Sequence, residues 1–395
     1  MIDQPLHLVI ASGGTGGHVN PALAVLGALR ERANVSATWI GGTWGIERDA
    51  ARRADVPFIA IQTGKLRRYL SWQTPVDAAR ILLGGAQAYR ALRRIRPRPD
   101  VVFSTGGYVA VPTAIAATWL QLPVLTHEQT AQVGLANRII AKRAEVLALS
   151  FPLPNVETLA PKARIVVTGN PLRSEIFGGS AEEGTKRFRL SPDLPTIYVT
   201  GGARGSSPIN ERIERALPLL LPSMQIIHAT GPAEANGDYP RLNAVAAALP
   251  DEWCARYVPV ESLRDELRDV YALAALVVGR SGAGTVAELA ALGKPSILIP
   301  LPGTGGDEAT KNARVLSDAG AALLLPQADA TPELLASQII ALLDDAPRCA
   351  RMHDVALSLA PKEAAARIAD ELLQLAGHPA SRVPASTPTI EGTQS

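Results

Sequence analysis

Short apolar runs rich in β-branched residues alternate along this chain with longer stretches whose apolar positions recur at helical spacing. Residues 7–10, 36–40, 57–61, 101–104, 124–126, 146–149 and 165–168 read as strands, and 21–32 and 75–96 as the clearest helices between them. Such alternation predicts a parallel sheet covered by helices on both faces. The pattern restarts at 196–200, which leads through Gly201-Gly202-Ala203-Arg204-Gly205 into a helix near 209–220. Further strands follow at 225–229, 255–258, 276–278, 296–299 and 322–325. Two strand–glycine–helix openings predict an α/β protein of two Rossmann-like halves, with ligands bound outside the carboxyl ends of the strands, in the cleft between the halves.

The connection between the halves is placed at 169–191, and a last amphipathic helix at 361–374 carries Ala365, Ile368, Leu372 and Leu375 on one face. From Gly377 the chain is rich in Pro, Ser and Thr and reads as a disordered tail. The most apolar run, 109–125, is interrupted by Pro112, Gln121 and Pro123, which suits a buried helix plus strand better than a membrane span.

The chemistry enters with Ala11-Ser12-Gly13-Gly14-Thr15-Gly16-Gly17-His18, between the first strand and a helix expected to start near Pro21. Glycines allow the close backbone approach that a phosphate or sugar needs at a helix N-terminus, and His18 at its mouth can bind or move a proton. A dinucleotide fold wants an acidic residue about 20 positions after its glycines, and the second strand runs into Gly41-Gly42 instead. An ATP-type loop wants Gly-Lys-Ser/Thr, which no segment supplies. A nucleotide-sugar or phosphate enzyme remains.

Composition narrows this further. At 395 residues and 47% hydrophobic the chain has room for two cores. A net charge of +2 gives no case for bulk nucleic-acid binding. Cys254 and Cys349 lack redox or metal spacing, the six histidines form no ligand cluster, and no metal site is read. Met1–Pro5 has no basic n-region, so the expectation is a cytosolic protein without a secretory leader.

The first loop, Ser104-Thr105-Gly106-Gly107-Tyr108, His127-Glu128-Gln129, Gly169-Asn170-Pro171-Leu172-Arg173 and Arg280-Ser281-Gly282-Ala283 with Thr285 and Glu288 follow in an order that resembles the MurG family of peptidoglycan glycosyltransferases. The resemblance implies the GT-B fold of glycosyltransferase family 28, two Rossmann-like domains facing each other across a cleft. It divides the chain into an acceptor domain (1–168), a UDP-sugar domain (169–360), a helix packing back across the domains (361–376) and a tail (377–395). It implies inverting transfer of N-acetylglucosamine from UDP-N-acetylglucosamine to the C4 hydroxyl of the muramoyl sugar of lipid I, an undecaprenyl-diphosphate-linked acceptor, giving lipid II. No cofactor is implied.

The resemblance also distributes roles. Gly13, Gly14, Thr15, Gly16, Gly17 and His18, with Gly106, Gly107 and Tyr108, would meet the acceptor and its diphosphate. Thr15, Gly16 and Gly17 would also border the donor, which is otherwise held by Thr130, Arg173, Ala203, Arg204, Val260, Arg280, Ser281, Gly282, Thr285, Glu288, Glu308 and Ala309. Glu288 would accept ribose hydroxyls, backbone near Val260 would read uracil, and Arg173 with Arg280 would offset the charge of departing UDP. His18 and Glu128 are both candidate general bases, with His18 favoured and Glu128 also able to orient the site. His127 reads as structural.

Three departures from the family fall on the donor side: Thr130 where Asn is usual, Ala203-Arg204 within the second glycine loop, and Glu308-Ala309 where the sugar-binding glutamine usually follows. Arg204 and Glu308 are expected to compensate. These departures keep open a lipid I-binding scaffold with a decayed donor site; the other alternative is a 2-epimerase-type UDP-sugar enzyme on the same architecture. Lys65, Arg67, Arg68, Tyr69 and Trp72, near Arg90, Arg93, Arg94, Arg96 and Arg98, mix basic and aromatic character. That mixture suits docking on the anionic cytoplasmic face of the plasma membrane, at about 1 kcal/mol per basic residue.

Overall fold

The computed structural model describes residues 5–64, 74–361 and 363–378, so the basic-aromatic segment 65–72 and most of the expected tail lie outside the described residues. Among the described residues, β1 (Leu6–Ala11), β2 (Val35–Gly42), β3 (Phe58–Ile61), β4 (Val101–Ser104), β5 (Val124–Glu128), β6 (Val146–Leu149) and β7 (Arg164–Val167) form one parallel sheet in the order β3-β2-β1-β4-β5-β6-β7. A second parallel sheet holds β8 (Thr196–Thr200), β9 (Gln225–Ala229), β10 (Tyr257–Val260), β11 (Ala274–Gly279), β12 (Ser296–Leu298) and β13 (Ala322–Leu324), ordered β10-β9-β8-β11-β12-β13. Strand order reverses between β1 and β4 and again between β8 and β11. Chains diverge there, opening a crevice at the strand carboxyl ends.

Each expected strand is present, with β10 displaced by two residues because Ala255 caps the short helix Asp251–Cys254. Strand side chains alternate between two helical layers. Leu6, Leu8 and Ile10 of β1 meet Val19, Ala22, Val25, Leu26 and Leu29 of helix Gly16–Arg30. Val9 and Ala11 meet Ala110, Val111, Ala114 and Ala117 of helix Ala110–Trp119. Burying each such Leu or Val contributes about 1.5–3 kcal/mol.

Two expectations need correction. The first helix starts at Gly16, a full turn before Pro21. Proline favours the first position of a helix, which made Pro21 look like a start. It instead stands one turn in, where the Gly17 carbonyl has no N–H to meet. The connection between the sheets is also shorter than 169–191, because helix Ala181–Phe188 packs on helix Leu267–Leu273 of the second half. Asp269 fixes its start by accepting the Ser180 N–H at 3.0 Å.

Helix Ala364–Leu375 returns from the second half to the first. Ile368, Ala369, Leu372 and Leu373 join the core beneath helix Gly16–Arg30. Arg32 pairs with Asp370 at 3.5 Å, and Arg164 with Glu371.

Candidate active site

The register Ala11↔Ser104 places the loops after β1 and β4 side by side. Gly13 and Gly107 touch: a Cβ on Gly107, whose φ is +81°, would stand 2.7 Å from the Gly13 carbonyl oxygen and 3.1 Å from the His18 ring. A Cβ on Gly13 would meet the Glu47 carboxyl at 2.5 Å. Gly14 lies under the Tyr108 ring. Gly16, Gly17 and His18 form the first turn of their helix, with Thr15 as N-cap. The leading amides of that turn have no intrahelical acceptor, and they face the crevice as a ready anion site.

Below this turn the polar groups are paired. The Thr105 hydroxyl lies 2.6 Å from Ser12 Oγ and 2.8 Å from the His18 carbonyl, and Trp39 Nε1 donates to Ser12 O at 2.9 Å. His18 Nδ1 stands 2.8 Å from the Thr105 carbonyl oxygen, which can only accept. The neutral ring is therefore protonated at Nδ1 and bare at Nε2, the nitrogen turned towards Gly107. A general base needs this arrangement.

Glu128 has a different environment. It is 3% exposed, and its carboxylate accepts four hydrogen bonds. Oε1 takes Thr130 N at 3.1 Å and Thr130 Oγ1 at 2.8 Å, while Oε2 takes Gly134 N at 2.8 Å and Asn137 Nδ2 at 2.9 Å. Its lone pairs are occupied by the loop it shapes. That loop reaches the second half: Ala131 N donates to Asn312 Oδ1 at 2.8 Å, Gln132 Nε2 to Gly305 O at 2.8 Å, and Lys311 Nζ to Gln132 Oε1 at 2.9 Å. Thr130 thus sits at the junction of the halves, its single hydroxyl proton shared between Glu128 Oε1 at 2.8 Å and Gln132 O at 2.6 Å.

Across the cleft, Gly282 is the N-cap of helix Ala283–Ala291, which carries Thr285 and Glu288. Tyr271 donates to Glu288 Oε2 at 2.8 Å. Burial pushes the Glu288 carboxyl above its ordinary range, against the lowering effects of Tyr271 and of Arg173 nearby. Arg173, the residue before the turn Ser174–Ile176, also lines a cavity of about 480 Å³ behind the cleft with Asn170, Ala291 and Ala364. Ala203 and Arg204 are exposed on the loop after β8. The Val260 carbonyl accepts Thr230 N at 2.9 Å. Glu308 opens helix Glu308–Ser317, and Ala309 behind it is buried, with its carbonyl accepting the Ser281 hydroxyl at 2.7 Å.

Arg280 is held within its own half: it donates from Nη1 to Ile299 O and Pro300 O and from Nη2 to Ser206 Oγ and Gln327 Oε1. Burial, with Arg212 close by, lowers its pKa to about 10. It ties Ser206, at the end of the glycine loop after β8, to the segment that follows β12.

Three functional neighbours escaped the sequence reading, and a fourth, Gln129, stood in a quoted motif without a role. Glu47 is fully buried and accepts Gly14 N at 3.2 Å and Gly42 N at 3.0 Å. Asn137 braces His127 O and Glu128, Tyr271 braces Glu288, and Gln129 stands against His18. A charged residue just after Gly41, Gly42 and Gly45 was the available signal for Glu47. For the others only contact reveals the role.

Residues 8–148 match the glycosyltransferase family 28 N-terminal domain and 196–372 its C-terminal domain. A UDP-N-acetylglucosamine--N-acetylmuramyl-(pentapeptide) pyrophosphoryl-undecaprenol N-acetylglucosamine transferase of Treponema pallidum is 35% identical over 88% of this chain and 89% of its own length. The Halalkalibacterium halodurans protein of the same name is 32% identical over 92% and 98%. The crystal structure of Acinetobacter baumannii MurG superposes with a TM-score of 0.73 at 26% identity, covering 94% of this chain and all of that one. A Neisseria meningitidis UDP-N-acetylglucosamine 2-epimerase, at TM-score 0.65 and 13% identity, shares the fold. This chain, with its two facing parallel-sheet domains, belongs to glycosyltransferase family 28 and has the GT-B fold of the MurG proteins.

Proposed function

We propose that the protein transfers N-acetylglucosamine from UDP-N-acetylglucosamine to the C4 hydroxyl of the muramoyl sugar of lipid I, forming lipid II. The observation that carries the mechanism is the bare Nε2 of His18, held over Gly107 where the two acceptor loops meet. His18 Nε2 takes the proton of the acceptor hydroxyl as its oxygen attacks the sugar C1. The bond from C1 to the UDP oxygen breaks on the opposite face, so the configuration inverts and the electron pair leaves with UDP. The amides opening helix Ala283–Ala291, with Arg173 and Arg204, meet the charge growing on the departing diphosphate. Glu288 holds the ribose through the oxygen that Tyr271 leaves open. Glu128 shapes the interdomain loop, and the first-turn amides at Gly16 and Gly17 receive the acceptor diphosphate.

A lipid-linked acceptor requires docking on the membrane surface. Among the described residues no helix is long and apolar enough to cross a membrane. Leu82, 76% exposed, and Trp119, 64% exposed, share a face with Arg90, Arg93 and Arg94. Apolar side chains ringed by arginines suit an anionic interface, and we assign this face to peripheral docking at the cytoplasmic side; the basic and aromatic residues from Lys65 to Trp72, outside the described residues, have the same character in the sequence.

The deciding experiment follows labelled sugar from UDP-N-acetylglucosamine to a short-chain lipid I analogue, with UDP-N-acetylgalactosamine in parallel. Selective transfer, lost by about 10²- to 10⁴-fold in His18→Ala, is the expected result. Acceptor binding without transfer from either donor would replace the enzyme with a scaffold.

A further inference from the structure

His18 Nδ1 faces a second oxygen, Gln129 Oε1 at 3.2 Å. The orientation of that amide is dictated by its surroundings. Gln129 Nε2 lies 2.9 Å from Thr105 O and 3.1 Å from His127 O, and both of these can only accept. The amide nitrogen must point at them, which leaves Oε1 for His18. His127 Nδ1 is also within 3.1 Å of the amide nitrogen, and its Nε2 lies 3.0 Å from Gly169 O, so its proton sits on Nε2. At the far end of this chain Gly169 packs closely against Pro361 and Ala364.

We propose that Gln129 is a positioning residue for the transfer reaction. It clamps Thr105 O and His18 together and supplies the second of two neutral oxygens that hold the imidazole with Nδ1–H inward and Nε2 towards the acceptor. This rests on the reading of His18 as the base. Two carbonyl-type oxygens then face the N–H of the imidazolium formed in the reaction, where a carboxylate is often used. Glu128 is unavailable for that task, since its oxygens serve Thr130, Gly134 and Asn137. The other titratable groups on the surrounding elements are His127, which burial keeps neutral, and Tyr108 and Glu47, which both contact Gly14.

Gln129→Met keeps the volume and removes both halves of the clamp. Its kcat is expected to fall about tenfold, with both KM values and the melting temperature little changed. The acid limb of its kcat/KM profile moves to lower pH, because the imidazolium has lost an acceptor. Gln129→Glu, which puts an anion at the same distance, moves that limb to higher pH. NMR titration of the labelled His18 ring in the full-length protein reads the same two shifts without turnover. A limb and a His18 titration that stay fixed in both variants overturn the proposal. Shifts of the ring that the rate profile does not follow, with His18→Ala still active, leave Gln129 as the positioning residue of the ring and remove His18 as the base.

Discussion

Glu47 is a carboxylate buried against the loop that is assigned to a diphosphate, and its oxygens accept Gly14 N and Gly42 N, so that it fixes the backbone of that loop. Glu47→Ala strands the buried Gly42 amide, worth about 1–3 kcal/mol when unsatisfied, and frees the half-buried Gly14 amide to water. The expected outcome is a lower denaturation midpoint and a raised KM for the lipid acceptor, with the KM for UDP-N-acetylglucosamine unchanged. Equal rises in both KM values would remove Glu47 from the acceptor loop. Glu288 shows the opposite balance. Burial lifts its pKa in the folded protein above the ordinary 4.5, so its contribution to stability is full below 4.5 and is lost as pH rises through the folded value. Above the folded value the ionised group opposes folding, and Glu288→Gln is expected to melt at the same or a higher temperature there, the difference closing as pH falls towards 4.5. Donor affinity should fall roughly 10- to 100-fold, the range for hydrogen bonds to a charged group. Calorimetry of UDP binding alongside melting curves checks both signs.

At the scale of elements, the start of the first helix decides where phosphate-binding amides point. Beginning at Gly16 rather than near Pro21, it presents Gly16 and Gly17 to the crevice and puts His18 on the first turn. Gly107→Ala tests this close fit, since the added methyl meets Gly13 O at 2.7 Å in a backbone region that alanine avoids. Activity should be lost together with about 1 kcal/mol or more of stability, read from urea unfolding. The last helix closes the first domain's core. Leu372 is fully buried there, so Leu372→Ala is expected to cost about 2–5 kcal/mol although it lies far from the chemistry. A loss within the range of surface substitutions, about 0.5 kcal/mol, would show that this helix does not complete the core.

For the whole molecule, the clasp of Gln132 and Ala131 on Gly305, Lys311 and Asn312 joins the loop shaped by Glu128 to the segment bearing Glu308. Gln132→Ala removes two of these bonds. The expected result is a wider particle in small-angle scattering and a donor KM raised about 2- to 10-fold, matching the net worth of such bonds. Unchanged scattering and KM would make the clasp incidental. The docking face gives a separate test: Leu82→Glu with Trp119→Ala should abolish flotation with anionic vesicles while leaving turnover of a soluble short-chain acceptor intact.

Local rules determined much of this protein. Strand positions, the two halves and the glycine loops follow from apolar spacing and from the backbone freedom of glycine, which depend on near neighbours in the chain. Resemblance in motif order added the family and drew His18, Glu128 and Glu288 towards one cleft. Tertiary structure decided which groups remain available. Glu128 and Arg280 carry the right charges in the right motifs, and the fold gives each several partners: Glu128 is met by Thr130, Gly134 and Asn137, and four of the five N–H donors of Arg280 by Ile299, Pro300, Ser206 and Gln327. Glu47, Gln129 and Tyr271 sit outside the expected set and acquire roles from partners 33, 111 and 17 positions away. A side chain's chemistry depends on which of its lone pairs and protons the fold has already used, and those partners come together only when the sheets close.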